Sequence, residues 1–342
     1  MQGHRFLRPK DRRARILQGP PVGRCSDQEM ITLQDVKQAA KRIAPYVRRT
    51  PLVAARCLKD NPFPDGELLL KLECLQATGS FKARGAANKL LSLSDAKVRG
   101  GIVTASGGNH GLAVAYAGWL GKTRATVFLP DNASPEKVKK LQHWGATVRF
   151  EGHQWHEANR AALAMAEQEG LTYFHPFADP LVVAGQGTTA LEILEQAPEV
   201  EEILVAIGGG GLISGISLAA KALRPSIRII GVEPTGSPTL YESLKAGRVV
   251  ALREITTRVP TMACRQTEPI NFEIVQRYVD EIMLVTDEDM ADAARWLWFE
   301  MGLAADLSGA ATIAALRSGK VRPKKGRKVC ALVCGSGPDG MA

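Results

Sequence analysis

One lysine of this chain stands in surroundings that are unusual for a surface charge. Lys82 lies in the stretch SFKARGA (80–86), directly after Phe81 and among small residues. A lysine packed against apolar groups has a lowered pKa and therefore a larger neutral fraction. A neutral amine attacks carbonyl carbon and accepts protons from carbon acids. The sequence therefore predicts that Lys82 is a reactive group rather than a solvated charge.

A run of four glycines marks a candidate anion site. It follows the apolar run EILVA and precedes a helical pattern, and its residues are Gly208, Gly209, Gly210, Gly211 and Leu212. Glycines allow backbone N–H groups to converge, and the dipole of the following helix favours negative charge. We interpret this loop as a phosphate site. A dinucleotide fingerprint fits less well, because GxGxxG would place Ile213 at a glycine position and Glu233 comes late for the acidic partner.

Two further glycine-rich stretches follow predicted strands. TASGGNHG (104–111) offers N–H groups and an amide to a carboxylate, through Ser106, Gly107, Gly108, Asn109 and His110. An ordinary helix N-cap is an equal interpretation of this stretch. VCGSGPDG (333–340) offers an uncharged hydrogen-bonding group, Cys334 or, two residues later, Ser336.

Together these groups imply pyridoxal phosphate as the cofactor. Its aldehyde would meet Lys82, its phosphate the loop 208–212 and its ring nitrogen Cys334. The stretch 106–110 would hold the carboxylate of an amino-acid substrate.

Alternating strand and helix patterns must position these residues. Seven apolar runs predict strands, and helical patterns separate them; the runs are 67–73, 100–106, 125–130, 146–152, 202–211, 227–234 and 328–337. This alternation predicts an α/β fold with parallel sheets covered on both faces. We expect two open, doubly wound sheets in two lobes, with the cofactor in the cleft between them. Ligands of such sheets bind at the carboxyl ends of the strands, where the motifs above lie.

Composition excludes several other classes of protein. The 342 residues are 45% hydrophobic and 23% charged, and no apolar run approaches the roughly 20 residues of a membrane span. Residues 1–29 contribute +4 of the net charge of +9, and no basic stripe with interleaved aromatics indicates nucleic-acid binding. The six cysteines lack CxxC spacing, which argues against a zinc site or disulfides and predicts a cytoplasmic protein. Residues 1–29 are expected to be a disordered basic extension, since the chain has a natural beginning at Met30.

The motifs resemble the type II fold of pyridoxal-phosphate enzymes, the fold of tryptophan synthase β, and within it the serine/threonine dehydratase branch. The similarity extends from about Met30 to the C-terminus. Six stretches carry it: KLECLQATGSFKARGA, ASGGNHGLAVAYA, AGQGTTALEI, IGGGGLISGI, GVEPTGSPTLYESLKAG and VCGSGPD. The resemblance implies a large cofactor-binding domain (30–100 and 178–342), a small α/β domain (101–177) and a homodimer or higher homo-oligomer.

The resemblance also implies roles for individual residues. Lys82 would be the Schiff-base lysine, Phe81 its neighbour against the cofactor ring, and Asn109 the ligand of the phenolic oxygen. Gly208 to Leu212 would bind the phosphate. Cys334 stands where the family places a serine or cysteine against the pyridine nitrogen, with Ser336 as the alternative. An uncharged partner there favours loss of a β-hydroxyl group over transamination, with Lys82 as the base at Cα.

Some positions depart from the family pattern. Gly107 replaces the serine that reprotonates the opposite face in racemases, so efficient racemisation is disfavoured. Thr239 stands where some members carry an acidic partner of Glu233, so we expect no bound cation. Leu112 replaces a common glutamine, and PTMACRQTEP (260–269) replaces an ADG-type segment near the substrate side chain. The chain ends eight residues after Cys334, so no C-terminal regulatory domain is expected.

The expected activity is β-elimination from L-threonine, L-serine or a close 3-hydroxy amino acid, giving a 2-oxo acid and ammonia. A racemase, or another β- or γ-lyase or synthase with the same cofactor, is the alternative. A protein that binds nucleotide through the glycine loop without catalysis is the third possibility. The sequence does not choose the preferred substrate.

Overall fold

The computed structural model describes residues 31–341. The predicted extension 1–29 and the proposed start at Met30 lie outside the described residues. Within them the strands are β1 (Leu52–Ala54), β2 (Glu67–Leu72), β3 (Ile102–Ala105), β4 (Ala125–Leu129), β5 (Thr147–Phe150), β6 (Thr172–Tyr173), β7 (Glu202–Ala206), β8 (Arg228–Pro234), β9 (Glu281–Val285) and β10 (Lys328–Val333).

The helices of the same residues alternate with these strands. They are α1 (Leu33–Ile43), α2 (Lys82–Leu91), α3 (Asp95–Gly100), α4 (Asn109–Leu120), α5 (Pro135–His143), α6 (Trp155–Glu169), α7 (Pro180–Gln196), α8 (Gly211–Leu223), α9 (Thr239–Ala246), α10 (Pro269–Tyr278), α11 (Asp287–Met301) and α12 (Leu307–Arg317). Two short 3₁₀ turns, Glu73–Leu75 and Ala77–Gly79, connect β2 to the start of α2. None of the described helices combines the length and apolar content needed to cross a bilayer.

The strands form two separate sheets. One has six strands in the order β1-β2-β10-β7-β8-β9, and the other has four in the order β5-β4-β3-β6. The central strands β4 and β7 are buried along their whole length, as expected for strands covered by helices on both faces. The prediction of an α/β fold with two parallel sheets is therefore confirmed. The strands of the smaller sheet all lie between residues 102 and 173; the division into domains at 101 and 177 stays a prediction.

One edge of the larger sheet departs from the predicted parallel arrangement. β1 pairs with β2 in antiparallel register, with Leu52 opposite Lys71, whereas the other pairings between the strands above are parallel. An antiparallel neighbour needs only a turn, while a parallel one needs a crossover of a dozen or more residues. Residues 55–66 contain no helix and return the chain directly from β1 to β2, so β1 joins the edge as an antiparallel strand.

Helix α7 begins earlier than its sequence pattern predicts. The apolar spacing places the start at Gln186, whereas the helix begins at Pro180. Asp179 is the N-cap, and its Oδ1 accepts hydrogen bonds from the backbone N–H groups of Leu181 and Val182. An aspartate before a proline is a start signal, because proline needs no hydrogen-bond acceptor for its nitrogen in the first helical turn.

Candidate active site

The strand order of the larger sheet brings three of the predicted motifs together. β2, β10 and β7 are adjacent and parallel, so their carboxyl ends lie side by side. The chain leaves β2 towards Lys82, leaves β10 at Cys334, and leaves β7 into the glycine loop. Cys334 therefore lies between the lysine and the loop at the carboxyl ends of these three strands. Open α/β sheets bind their ligands at this end.

Lys82 is held against the end of β10 by backbone contacts. The Phe81 N–H donates to the carbonyl oxygen of Cys334 at 3.2 Å, and Ser80 forms an antiparallel bridge with Gly335. The ammonium nitrogen of Lys82 lies 5.2 Å from the centre of the Phe81 ring and donates to the carbonyl oxygen of Pro176 at 2.5 Å. Burial lowers the pKa of Lys82 to about 8. About a tenth of this lysine is therefore neutral at pH 7, compared with less than about a thousandth of a lysine at the ordinary pKa near 10.4, as its sequence surroundings predict.

The glycine loop has free hydrogen-bond donors. It runs from the end of β7 into the 13-residue helix α8, with Gly210 as N-cap at a φ of 100°. Among the described residues, no acceptor binds the backbone N–H groups from Gly208 to Ile213. These N–H groups and the positive end of the helix dipole form a site for an anion.

Three residues that the sequence did not single out shape this loop. A Cβ atom added at Gly209 would lie 2.2 Å from the Phe177 ring, so only glycine fits there. Thr267 Oγ1 and Asn271 Nδ2 both donate to the carbonyl oxygen of Gly209, at 3.0 and 3.1 Å. These two hydrogen bonds engage the carbonyl oxygen of Gly209, and the N–H groups of the loop stay available to an anion. The aromatic turn FHPF (174–177) was the available signal for Phe177. Thr267 lies in the segment PTMACRQTEP and Asn271 in α10, and neither stretch points to the glycine loop.

Asn109 is tied to the end of β10 through an aspartate. Its Nδ2 donates to Oδ2 of Asp306 at 2.9 Å, and the Asp306 N–H donates to the carbonyl oxygen of Gly335 at 3.1 Å. Asp306 also caps α12 by accepting from Gly309 N–H. Burial raises the pKa of this carboxyl group. Asp306 thus connects the small sheet's loop to the large sheet, and only its position before the helical pattern of α12 hinted at it.

The stretch 106–110 joins β3 to α4, and its side chains differ in what they can do. Ser106 Oγ accepts from Gly108 N–H at 3.4 Å. The His110 ring is buried, and its Nε2 lies 3.0 Å from both Thr104 Oγ1 and the carbonyl oxygen of Phe174. Burial lowers the pKa of His110 well below its usual value, so the ring is neutral.

Cys334 and Ser336 occupy different environments. Cys334 is buried, and its thiol donates to the carbonyl oxygen of Ser308 at 3.4 Å. Burial raises the pKa of the thiol, which keeps it uncharged. Ser336 is exposed, and its N–H donates to the carbonyl oxygen of Gly79 at 2.8 Å. The geometry favours Cys334 as the uncharged group beside the lysine, and its assignment to the pyridine nitrogen stays a prediction.

A buried ion-pair network includes Arg84, which lies two residues after Lys82 on α2. Arg84 makes two parallel hydrogen bonds to Glu73, from Nε at 2.8 Å and Nη2 at 2.7 Å, and both side chains are almost fully buried. Arg84 Nη1 also binds Glu192, which in turn pairs with the buried Lys71. The network ties the turn after β2 and helix α2 to α7. It fixes the backbone that carries Lys82.

The carboxyl group of Glu233 is engaged by backbone N–H groups. It is fully buried at the end of β8, and its oxygens accept from Leu240 and Tyr241 N–H groups at 2.8 Å each. Burial raises the pKa of Glu233 to about 8. Among the described residues, no group of three His, Cys, Asp or Glu side chains forms a metal site.

The arrangement fits pyridoxal phosphate. Free N–H groups at a helix N-terminus match a phosphate, and a lysine with a lowered pKa matches an aldehyde. The thiol of Cys334, kept protonated, is compatible with an unprotonated ring nitrogen, and the Asn109 amide lies beside Gly335 on the same side of the sheet.

Comparisons with known proteins agree with this fit. The model of the family described as pyridoxal-phosphate dependent enzyme matches residues 43–335. The L-threonine ammonia-lyase of Thermotoga maritima is 40% identical over 310 residues, which cover 91% of this chain and 76% of that protein. A structure of maize serine racemase matches with a TM-score of 0.86 and 33% identity, covering 90% of this chain and 94% of that one. A structure of threonine deaminase isoform 2 from Solanum lycopersicum matches with a TM-score of 0.84 and 31% identity, covering 93% and 86%.

The family match and the geometry concern the same residues, since the matched range includes the lysine, the glycine loop and Cys334. This chain belongs to the family of pyridoxal-phosphate dependent enzymes.

Proposed function

We propose that this enzyme is a dehydratase that converts L-threonine, L-serine or both to a 2-oxo acid and ammonia. The observation that carries the proposal is the position of Lys82 at the end of β10, where the Phe81 N–H donates to the carbonyl oxygen of buried Cys334 and burial lowers the pKa of the lysine to about 8. The similarity to an L-threonine ammonia-lyase at 40% identity supports the same reaction. Pyridoxal phosphate, when bound, supplies an aldehyde for the substrate's amino group and accepts electron density from Cα.

The protein's own residues would divide the work as follows. N–H groups at the start of α4, from Asn109 onward, hold the substrate carboxylate. Lys82, as a neutral amine, takes the proton from Cα. Cys334 stays uncharged and gives the ring nitrogen no proton, so electrons leave through the β-carbon and expel the hydroxyl group. The proton lost from Cα balances the proton that the departing hydroxyl takes up as water. Water then hydrolyses the released enamine to 2-oxo acid and ammonia.

A racemase is the second candidate, because the maize serine racemase structure is similar over most of both chains. Racemisation needs a proton donor on the face of Cα opposite Lys82. The resemblance to racemases implies that Gly107 stands at the position of that donor, and glycine has no side chain that could give a proton. A Cβ added at Gly107 would lie 3.1 Å from Leu129, so even a serine would displace a neighbour. This observation favours elimination.

A substrate panel tests the proposal. Purified protein with added pyridoxal phosphate should form 2-oxobutanoate from L-threonine or pyruvate from L-serine, with one ammonia per 2-oxo acid. Chiral chromatography of the remaining amino acid measures racemisation in the same samples. D-serine without pyruvate would favour the racemase, and no conversion of any 3-hydroxy amino acid would overturn the dehydratase.

The lowered pKa of Lys82 predicts a pH dependence for cofactor uptake. Only the neutral amine attacks the aldehyde, so the rate of apoenzyme reconstitution should rise with pH and level off above about 8. A lysine with an ordinary pKa near 10.4 would keep accelerating through pH 9. Stopped-flow absorbance after mixing apoenzyme with pyridoxal phosphate measures the rate. A tenfold increase from pH 8.5 to 9.5 would contradict the assignment.

We also propose that the enzyme is cytoplasmic and a homodimer or higher homo-oligomer, with residues 101–177 as a separate small domain. Five cysteines of the described residues are unpaired, as is usual in a reducing compartment. Trp119 and Phe299 are 60% and 79% exposed, and large exposed aromatics are enriched at protein interfaces. Sedimentation analysis would test the oligomeric state.

A further inference from the structure

One segment of the chain contacts both loops of the site. Residues 259–267, which we name the cleft segment, connect the region after α9 to α10. The carbonyl oxygen of Thr261 lies 2.9 Å from the position of a Cβ added at Gly208, in the glycine loop. The methyl carbon of the same threonine lies 3.7 Å from a Cβ added at Gly108, in the loop after β3. Thr261 therefore lies next to the glycine loop with its backbone and next to the loop after β3 with its side chain.

The cleft segment alternates buried and exposed residues. Val259 and Met262 are 2% and 1% exposed and anchor it in the core of the larger sheet. Thr261, between them, is exposed, as is Ala263. A residue between two buried anchors has little freedom to move, and its exposed side chain presents a fixed surface.

Hydrogen bonds fix the middle of the cleft segment. Cys264 donates its N–H to Ser237 Oγ at 3.0 Å, and its carbonyl oxygen accepts from Ser237 Oγ at 2.8 Å and from Thr239 Oγ1 at 2.6 Å. At the far end, Thr267 binds the carbonyl oxygen of Gly209. Both polar backbone groups of Cys264 are thus held by the turn before α9, while the glycine loop holds the segment's end.

The turn before α9 is itself fixed. The buried carboxyl group of Glu233 accepts from the backbone N–H groups of Leu240 and Tyr241, in the first turn of α9. A continuous set of hydrogen bonds therefore connects β8, α9 and the cleft segment to the glycine loop. These hydrogen bonds hold the backbone of Thr261 in place. A residue that selects substrates by shape must be held in this way.

We propose that Thr261 is a specificity-determining residue whose side chain contacts the β-substituent of the substrate. The inference rests on the proposed function and names the substrate class of the same site. Residues 259–264 (VPTMAC), around Thr261, carry no charged side chain, and the one charged residue of the cleft segment is the exposed Arg265, four positions after Thr261. The threonine methyl group and hydroxyl group limit the space beside Gly108. The site then suits small, uncharged 3-hydroxy amino acids.

Replacing Thr261 by alanine tests the assignment. The variant should raise kcat/KM for L-threo-3-phenylserine relative to L-threonine by roughly tenfold, the order of effect of one or two carbon groups in a pocket. Thr261→Val, which keeps the shape, should leave this ratio within about twofold, as that scale implies. Gln266→Ala changes an exposed side chain of the same segment and serves as the matched control.

A binding measurement separates shape selection from effects on turnover. L-valine has the shape of threonine but lacks the hydroxyl group that leaves, so it binds without elimination. Calorimetry of the holoenzyme should show that Thr261→Ala weakens L-valine binding relative to L-leucine, whereas Thr261→Val does not. If the wild-type enzyme forms no 2-oxo acid from any substrate, the proposed function fails. If it is active and Thr261→Ala leaves both ratios unchanged, the inference about Thr261 is wrong.

Discussion

Replacing Lys82 by alanine is expected to lower 2-oxo acid formation by at least about 10³-fold, within the range of a lost general base. The variant should also lose the near-visible absorbance band of enzyme-bound pyridoxal phosphate after gel filtration. The physical reason is that Lys82 places an amine with a pKa of about 8 at the junction of β2, β10 and the glycine loop, whereas Lys71, whose pKa burial also lowers, is paired with Glu192.

The matched control is Lys97→Ala, which removes an exposed lysine from α3. It should retain both the absorbance band and the activity. Circular dichroism of the two variants checks that each one folds. A Lys82→Ala enzyme that keeps its band after gel filtration would show that a different lysine bonds the cofactor, and the assignment of the site would be wrong.

Replacing Arg84 by alanine should destabilise the protein by about 3–5 kcal/mol, the usual effect of removing one partner of a buried ion pair. Arg84 and Glu73 are 1% and 0% exposed, so the variant leaves a buried carboxylate without its guanidinium. Lysine cannot replace arginine here, because a single ammonium group does not make the two parallel hydrogen bonds. The free energy of unfolding in urea measures the effect.

The control is Arg56→Ala, which removes an exposed partner of Glu67. Exposed pairs contribute under about 1 kcal/mol, so this variant should unfold at nearly the wild-type urea concentration. Equal losses in the two variants would contradict the view that the Arg84 network supports α2. Loss of cofactor affinity in Arg84→Ala, without loss in Arg56→Ala, would connect the network to the position of Lys82.

The sequence predicted the reactive groups of the site better than the residues that hold those groups in position. The reactive lysine and the glycine loop are local signals, since neighbouring residues determine an apolar environment or a run of free N–H groups. Asp306 and Phe177 were missed because their roles depend on distant segments. Asp306 acts across 197 residues on Asn109, and Phe177 packs on a glycine in another part of the fold. No periodic pattern in one stretch records such a contact.

The same distinction applies to the fold. Buried parallel strands such as β4 and β7 have continuous apolar runs and were predicted. Three strands were not predicted, and all three lie at sheet edges: β1 and β6 have three and two residues, too few for a pattern, and β9 has five, of which only two are buried. The start of α7 was missed for a different reason, because a capping aspartate and a proline extended the helix beyond its apolar spacing.

The position of β10 has a consequence for how the protein is made. This strand, at residues 328–333, inserts between β2 and β7, which do not pair with each other. Until β10 has been synthesised, β2 and β7 each have one edge without a hydrogen-bonding partner. Unpaired strand edges favour aggregation. The backbone contacts of Phe81 with Cys334 and of Ser80 with Gly335 also form only after β10 has been made. The backbone that carries Lys82 therefore reaches its final position only when β10 has closed the larger sheet.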